Sequence, residues 1–166
     1  MKGRLLNKKA ITPVAENIPH VKWFDLAVIF VREDGSIITE GDPMEMFMRC
    51  IYSDDEPEII DVNGMLNMPA ELQMYAISEP FNIFRPGILK EFAEHLEDDL
   101  YLIPSSIHEF LVVPVGNGEG KDEEVLTMIR DINNTHVASN ERLSYNLYKY
   151  HRDTGEITML EGDVKL

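Results

Sequence analysis

Leu100-Tyr-Leu-Ile-Pro-Ser-Ser-Ile-His-Glu-Phe-Leu-Val-Val-Pro114 sets two apolar runs around a polar turn, and its reading decides both the fold and whether the chain carries chemistry. The runs are short and end in punctuating residues, which predicts two strands joined by the turn. Upstream, Ile88, Leu89, Phe92, Ala93 and Leu96 recur at the α period between about Gly87 and Asp98, with acids on the other positions. Downstream, Val125, Leu126, Met128, Ile129 and Ile132 make the stripe of a second helix, with Asp122 as its cap and Asn133-Asn134 as its end. The centre of the chain therefore reads helix, strand, turn, strand, helix. Both stripes are expected to bury against one sheet.

Working outward, Phe24-Asp-Leu-Ala-Val-Ile-Phe-Val31 is apolar on both faces apart from Asp25, the pattern of a central strand of that sheet. Glu33-Asp-Gly35 is a turn signal that predicts a hairpin partner at Ser36 to Thr39. Asp42-Pro43 opens a helix to about Ile51, with Asp42 as N-cap and Met44, Phe47, Met48 and Ile51 as its inward face. Ser53 to Asp61 reads as exposed loop and Leu72 to Ser78 as strand. Leu143 to Tyr150, the turn Asp153-Thr-Gly155 and Glu156 to Leu160 make a final hairpin. Hairpins mixed with single helices, without a βαβ repeat, define an α+β class: an antiparallel or mixed β-sheet with amphipathic helices packed on it. The expected organisation is one domain over 1–166, with a basic N-terminal segment at 1–20 and a frayed tail at 161–166.

Composition limits the function classes. The chain has 166 residues, 44% hydrophobic and 27% charged, with a formal net charge of −15. Its length supports one hydrophobic core without staples. Cys50 is the single cysteine, which removes any disulfide within the chain and points to a reducing cytoplasm. No signal peptide is visible, and the longest apolar run, Leu26 to Val31, is too short to cross a bilayer, so no membrane role is expected. The acid is concentrated: Glu40, Asp42, Glu45, Asp54, Asp55, Glu56, Glu58 and Asp61 stand against one base, Arg49, within Glu40 to Asp61. That field repels phosphate backbones and suits a basic protein partner.

The turn Pro104 to Glu109 holds residue types of a hydrolase, Ser105, Ser106, His108 and Glu109, and Ser106 and His108 could approach within a turn as nucleophile and base. It lacks the G-x-S-x-G elbow and any glycine to carry a strained nucleophile. The structural reading is that the serine hydroxyls satisfy turn amides. A site would draw in groups from elsewhere, with His20, Asp25 and His136 as the supporting candidates. Val115-Gly-Asn-Gly-Glu-Gly-Lys-Asp122 departs from the P-loop spacing and carries acids where phosphate would sit. Asp153-Thr154-Gly155 copies an aspartic-protease triplet, whose chemistry needs two such loops, and reads as a hairpin tip. The five histidines form no H-x-x-x-H pair, so neither a metal nor a cofactor is expected.

Leu89-Lys-Glu-Phe-Ala-Glu-His-Leu96 followed by Asp99-Leu-Tyr-Leu-Ile-Pro-Ser-Ser-Ile-His-Glu109 resembles the C-terminal portion of the bacterial domain-of-unknown-function family 5688. The likeness extends to Ile132-Asn-Asn-Thr-His-Val137, to Leu143-Ser-Tyr-Asn-Leu-Tyr-Lys-Tyr150 and back to Ile18-Pro-His-Val-Lys-Trp-Phe-Asp-Leu-Ala27. The resemblance implies a Pro-Ser-Ser-x-His-Glu marker, longer relatives and a setting near bacterial mobile elements. It implies no activity and no catalytic residues. The resulting expectation is a non-enzymatic cytoplasmic interaction module. Its alternatives are an acidic DNA mimic of the anti-restriction or anti-CRISPR type and a hydrolase using Ser105, Ser106, His108 and Glu109.

Overall fold

Leu100 to Pro114 folds as the expected hairpin and lies at the centre of the larger of two sheets. The computed structural model describes residues 1–7, 17–53, 57–62, 73–116 and 122–160. Strands β1 (Lys2–Asn7), β2 (His20–Trp23) and β3 (Leu26–Val31) form a three-stranded antiparallel sheet in the order β1-β3-β2. Strands β4 (Ile59–Asp61), β5 (Tyr75–Ser78), β6 (Leu100–Ile103), β7 (Glu109–Pro114), β8 (Leu147–Tyr150) and β9 (Ile157–Leu160) form an antiparallel six-stranded sheet in the order β4-β5-β7-β6-β8-β9. Helices α1 (Pro43–Ile51), α2 (Ile88–Leu96) and α3 (Asp122–Thr135) complete an α+β fold.

Period-two alternation explains how the six-stranded sheet takes a helix on each face. Tyr101 and Ile103 of β6 lie opposite Val113 and Leu111 of β7, and these four pack with Val125, Ile129 and Ile132 of α3. Leu100 and Leu102, with Phe110 and Val112, point the other way and pack with Leu89 and Ala93 of α2. The two helical stripes therefore bury against one sheet, as expected, from opposite sides. Asp122 is the first residue of α3 rather than its cap, and its carboxylate accepts a hydrogen bond from the Tyr101 hydroxyl. Burial, reinforced by that carboxylate, pushes the Tyr101 hydroxyl well above the ordinary tyrosine range. The α3 helix also runs past Asn133-Asn134 to Thr135.

The strand expected over Phe24 to Val31 is central and buried at every position from Leu26 on, but in the small sheet rather than the large one. Phe24 leaves the strand for the β2–β3 turn, with a left-handed φ of 52°. Its neighbours come from segments whose sequence gave no alternation. Lys2 to Asn7, read as part of a basic segment, pairs along β3 from Lys2↔Val31 to Asn7↔Leu26, and His20 to Trp23 pairs on the other side. The expected hairpin through Gly35 makes its turn but stops after one bridge, Val31↔Ile37. With both edges of β3 filled, Ser36 to Thr39 has no edge left to extend along.

The small sheet packs Leu5, Leu26, Val28 and Phe30 against Met46, Cys50 and Ile51 of α1, with Phe81 and Leu143. The α1 face is thus rotated from the expected one: Ile51 is buried and Phe47 partly so, but Met46 and Cys50 are the other inward residues while Met44 and Met48 are exposed. Apolar residues at 44, 46, 47, 48, 50 and 51 give the helix two competing faces, and periodicity alone does not choose between them. Trp23 joins the layers, stacking on Tyr148 at 4.8 Å and meeting Phe84 edge-on at 5.3 Å. Gly3 sits so close to the Phe81 ring that a Cβ there would fall 2.4 Å from it. In the stretch expected as loop, Ile59 to Asp61 forms the edge strand β4, all three residues exposed, while Asp54, Asp55 and Glu56 lie outside the described residues.

Candidate functional site

The turn at Pro104 to Glu109 is built by backbone pairing with a downstream segment, Glu141 to Ser144. Ser144 N donates to Pro104 O at 3.0 Å, Leu143 N to Ser105 O at 3.3 Å and Ile107 N to Glu141 O at 2.9 Å, around a bridge between Ser106 and Arg142. On the other side Glu79 N donates to His108 O at 3.0 Å. Ser105 and Ser106 are 1% and 5% exposed. The Ser106 hydroxyl accepts a bond from the His108 amide at 3.2 Å, the local geometry by which a serine satisfies its own turn.

The imidazole is engaged by a different residue. His108 Nε2 lies 3.1 Å from Glu141 Oε1, with the histidine side chain 65% exposed. Glu109 is exposed at the start of β7, where it pairs with Ser78. Serine and histidine are thus engaged by different groups: the hydroxyl by an amide, the ring by a carboxylate. Ile107 and His108 of the turn line a cavity of about 200 Å³ together with Lys2, Arg4, Glu79 and Phe81 among others, with Lys2 Nζ held by Glu79 Oε1 at 3.1 Å.

Of the three supporting candidates, Asp25 is drawn in behind the turn. Its Oδ2 accepts from the Ser144 hydroxyl at 2.5 Å, and that hydroxyl in turn accepts from Asn146 N at 2.9 Å. Asn133 of α3 donates its amide to Ser144 O at 2.9 Å, and Asn7 of β1 donates to Leu143 O at 2.6 Å. Residues 141–146 therefore tie both sheets and α3 to the turn. His20 bonds within its own segment, Nδ1 to Ile18 O at 2.8 Å, and His136 is exposed just past the end of α3. Glu141, Arg142 and Ser144 carry no site signal in the sequence, and Asn133 is legible there only as a helix end. For Asn133 and Ser144 the signal is that Ile132 to Val137 and Leu143 to Tyr150 belong to the resemblance; Glu141 and Arg142 fall outside both stretches. Among the described residues, no group of three or more His, Cys, Asp or Glu is arranged to hold a metal. No helix among the described residues is long and apolar enough to cross a membrane.

The second candidate region is the acidic one. Glu40, Asp42, Glu45, Glu58 and Asp61 are all exposed. Asp42 also caps α1, its Oδ1 accepting from Glu45 N at 2.8 Å, and Pro43 fills the first turn. The outer side of α1 carries Met44, Met48 and, at its C-cap, Tyr52, which is 66% exposed. These three are spaced at i, i+4 and i+8, so they form one row along the helix. Ile37, Ile59 and Ile60 are exposed in the flanking segments.

The chain belongs to a family of unknown function (DUF5688), whose model matches residues 38–152. The match takes in α1, the acidic segment, the Pro104 to Glu109 turn and the segment that braces it, while β1, β2 and β3 fall outside it. No curated protein and no solved structure matches the chain.

Proposed function

We propose that the protein is a non-enzymatic interaction module of a bacterial cytoplasm, of host or mobile-element origin, that docks a basic protein through the face carried by residues 37–61. One observation carries this reading. Among the described residues, the exposed large hydrophobics are Phe24, Ile37, Met44, Met48, Tyr52, Ile59 and Ile60; the last five lie within the acid-rich segment Glu40 to Asp61 and Ile37 lies three residues before it. Exposed apolar side chains gathered in one region mark contact surfaces. The surrounding carboxylates steer a basic partner and repel an acidic one. A phosphate mimic would need the carboxylates alone, so the apolar side chains favour a protein-contact surface over the DNA-mimic alternative. The buried, amide-bound Ser106 supports the turn reading over the hydrolase one.

The test is a partner isolated from host lysate and then measured as a purified pair across a salt series. Affinity should fall steeply as salt rises, because the charges are exposed. Charge reversal in a Glu40→Lys, Glu45→Lys double variant should weaken it by about tenfold or more. Binding indifferent to both changes would overturn the proposal. So would a reactive-serine probe that labels the wild type and loses its target in Ser105→Ala or Ser106→Ala.

A further inference from the structure

The inward side of α1 is committed: Met46, Cys50 and Ile51 pack on the small sheet. What remains is a ridge of Met44, Met48 and Tyr52 on the outer side, with Glu45 and Arg49 beside it and Glu40 and Asp42 just before its start. Resting on the docking reading above, we propose that the occupant of this ridge is a basic amphipathic helix lying along α1. Its apolar edge would seat on Met44, Met48 and Tyr52, and its Lys or Arg residues would reach the carboxylates at the start of α1.

Three physical points select a helix of that chemistry. An α-helix surface offers side chains and no row of free backbone donors and acceptors, so an extended segment laid on it would leave its own backbone groups without protein partners, whereas a helix satisfies them internally. Residues four apart on a helix form ridges, and ridges pack into the grooves of a second helix. Methionine is unbranched and polarisable, so two of them on one ridge adapt to different apolar side chains. Charge sets the sign: Glu40, Asp42 and Glu45 stand at the start of α1, while the bases Arg49 and Arg85, the latter bonded to Ser53, lie toward its end.

The experiment uses the full chain and two fluorescent synthetic Leu/Lys peptides of identical composition, each of about 18 residues, long enough for an induced helix. One places leucine at i, i+3, i+4 and i+7, and its isomer alternates leucine and lysine as a strand would. Anisotropy titration should show the helical pattern binding about tenfold or more tighter than the isomer, and a Met44→Ser, Met48→Ser double variant should remove about that much. Glu40→Gln with Glu45→Gln should instead flatten the salt dependence. Both variants should keep the thermal midpoint of the parent, which separates lost binding from lost folding. If the isomers bind equally and the methionine variant is unaffected, the helix inference is overturned while the basic-partner reading survives on charge. If neither peptide binds at low salt, both are overturned.

Discussion

α1 and α2 each span nine residues, and each buries one side while presenting the other to solvent. They differ in how they begin and in what they leave outside. A side chain caps α1, with Asp42 accepting from Glu45 N, whereas α2 begins at Gly87, whose φ of 84° few side-chain-bearing residues adopt. The outer side of α2 is polar, with Lys90, Glu91, Glu94 and His95 exposed and Lys90 within 4.0 Å of Glu94. The outer side of α1 instead carries Met44, Met48 and Tyr52. Folding alone accounts for both sides of α2. It accounts for only one side of α1, and the surplus apolar surface is what the docking proposal rests on.

The comparison breaks most decisively at the inward residues. Leu89→Ala in α2 and Met46→Ala in α1, each removing a side chain that is 7% exposed, should each cost about 2–5 kcal/mol in urea unfolding. A small loss at Met46 beside a large one at Met44 would mean that α1 is rotated the other way. The helix starts come next. Asp42→Ala should cost about 0.5–2 kcal/mol and Asp42→Asn much less, since asparagine keeps the cap and removes only the charge. Gly87→Ala should cost about 1–2 kcal/mol, from the left-handed backbone rather than from a lost bond. The smallest expected effect sharpens the contrast: Met44→Ser or Met48→Ser should change stability by no more than about 0.5 kcal/mol. A larger loss at either would return that methionine to the core and remove the surplus surface.

The legible parts of the fold were those whose partners lie nearby in the chain. The hairpin at Leu100 to Pro114, the stripes of α2 and α3, the Asp42-Pro43 start of α1 and the last hairpin follow from local periodicity and turn chemistry. What was hidden depends on long-range pairing. β1 reads Lys-Gly-Arg-Leu-Leu-Asn and becomes a strand because β3 offers it an edge, and β4 is exposed at every position and is held by pairing with β5. Within the turn, its serines and histidine were visible as residue types. The brace that orients them was not, because Glu141 to Ser144 reaches Pro104 to Ile107 through main-chain groups, which every sequence carries alike. On α1, two apolar faces of similar strength left the choice to the surface beneath.

The Leu143 contact has a consequence for synthesis on the ribosome. The three strands of the small sheet are complete once residue 31 has emerged, yet the cluster that covers Leu5, Leu26, Val28 and Phe30 draws on Phe81 and on Leu143. A nascent chain therefore carries an early sheet with one greasy side only partly capped, by α1, until Phe81 and Leu143 have left the exit tunnel. During that interval the partly capped side is a natural station for a holding chaperone and a point where neighbouring nascent chains can stick. Burying Leu143 ends that exposure, so the same segment that fixes the Pro104 to Glu109 turn also seals the small sheet.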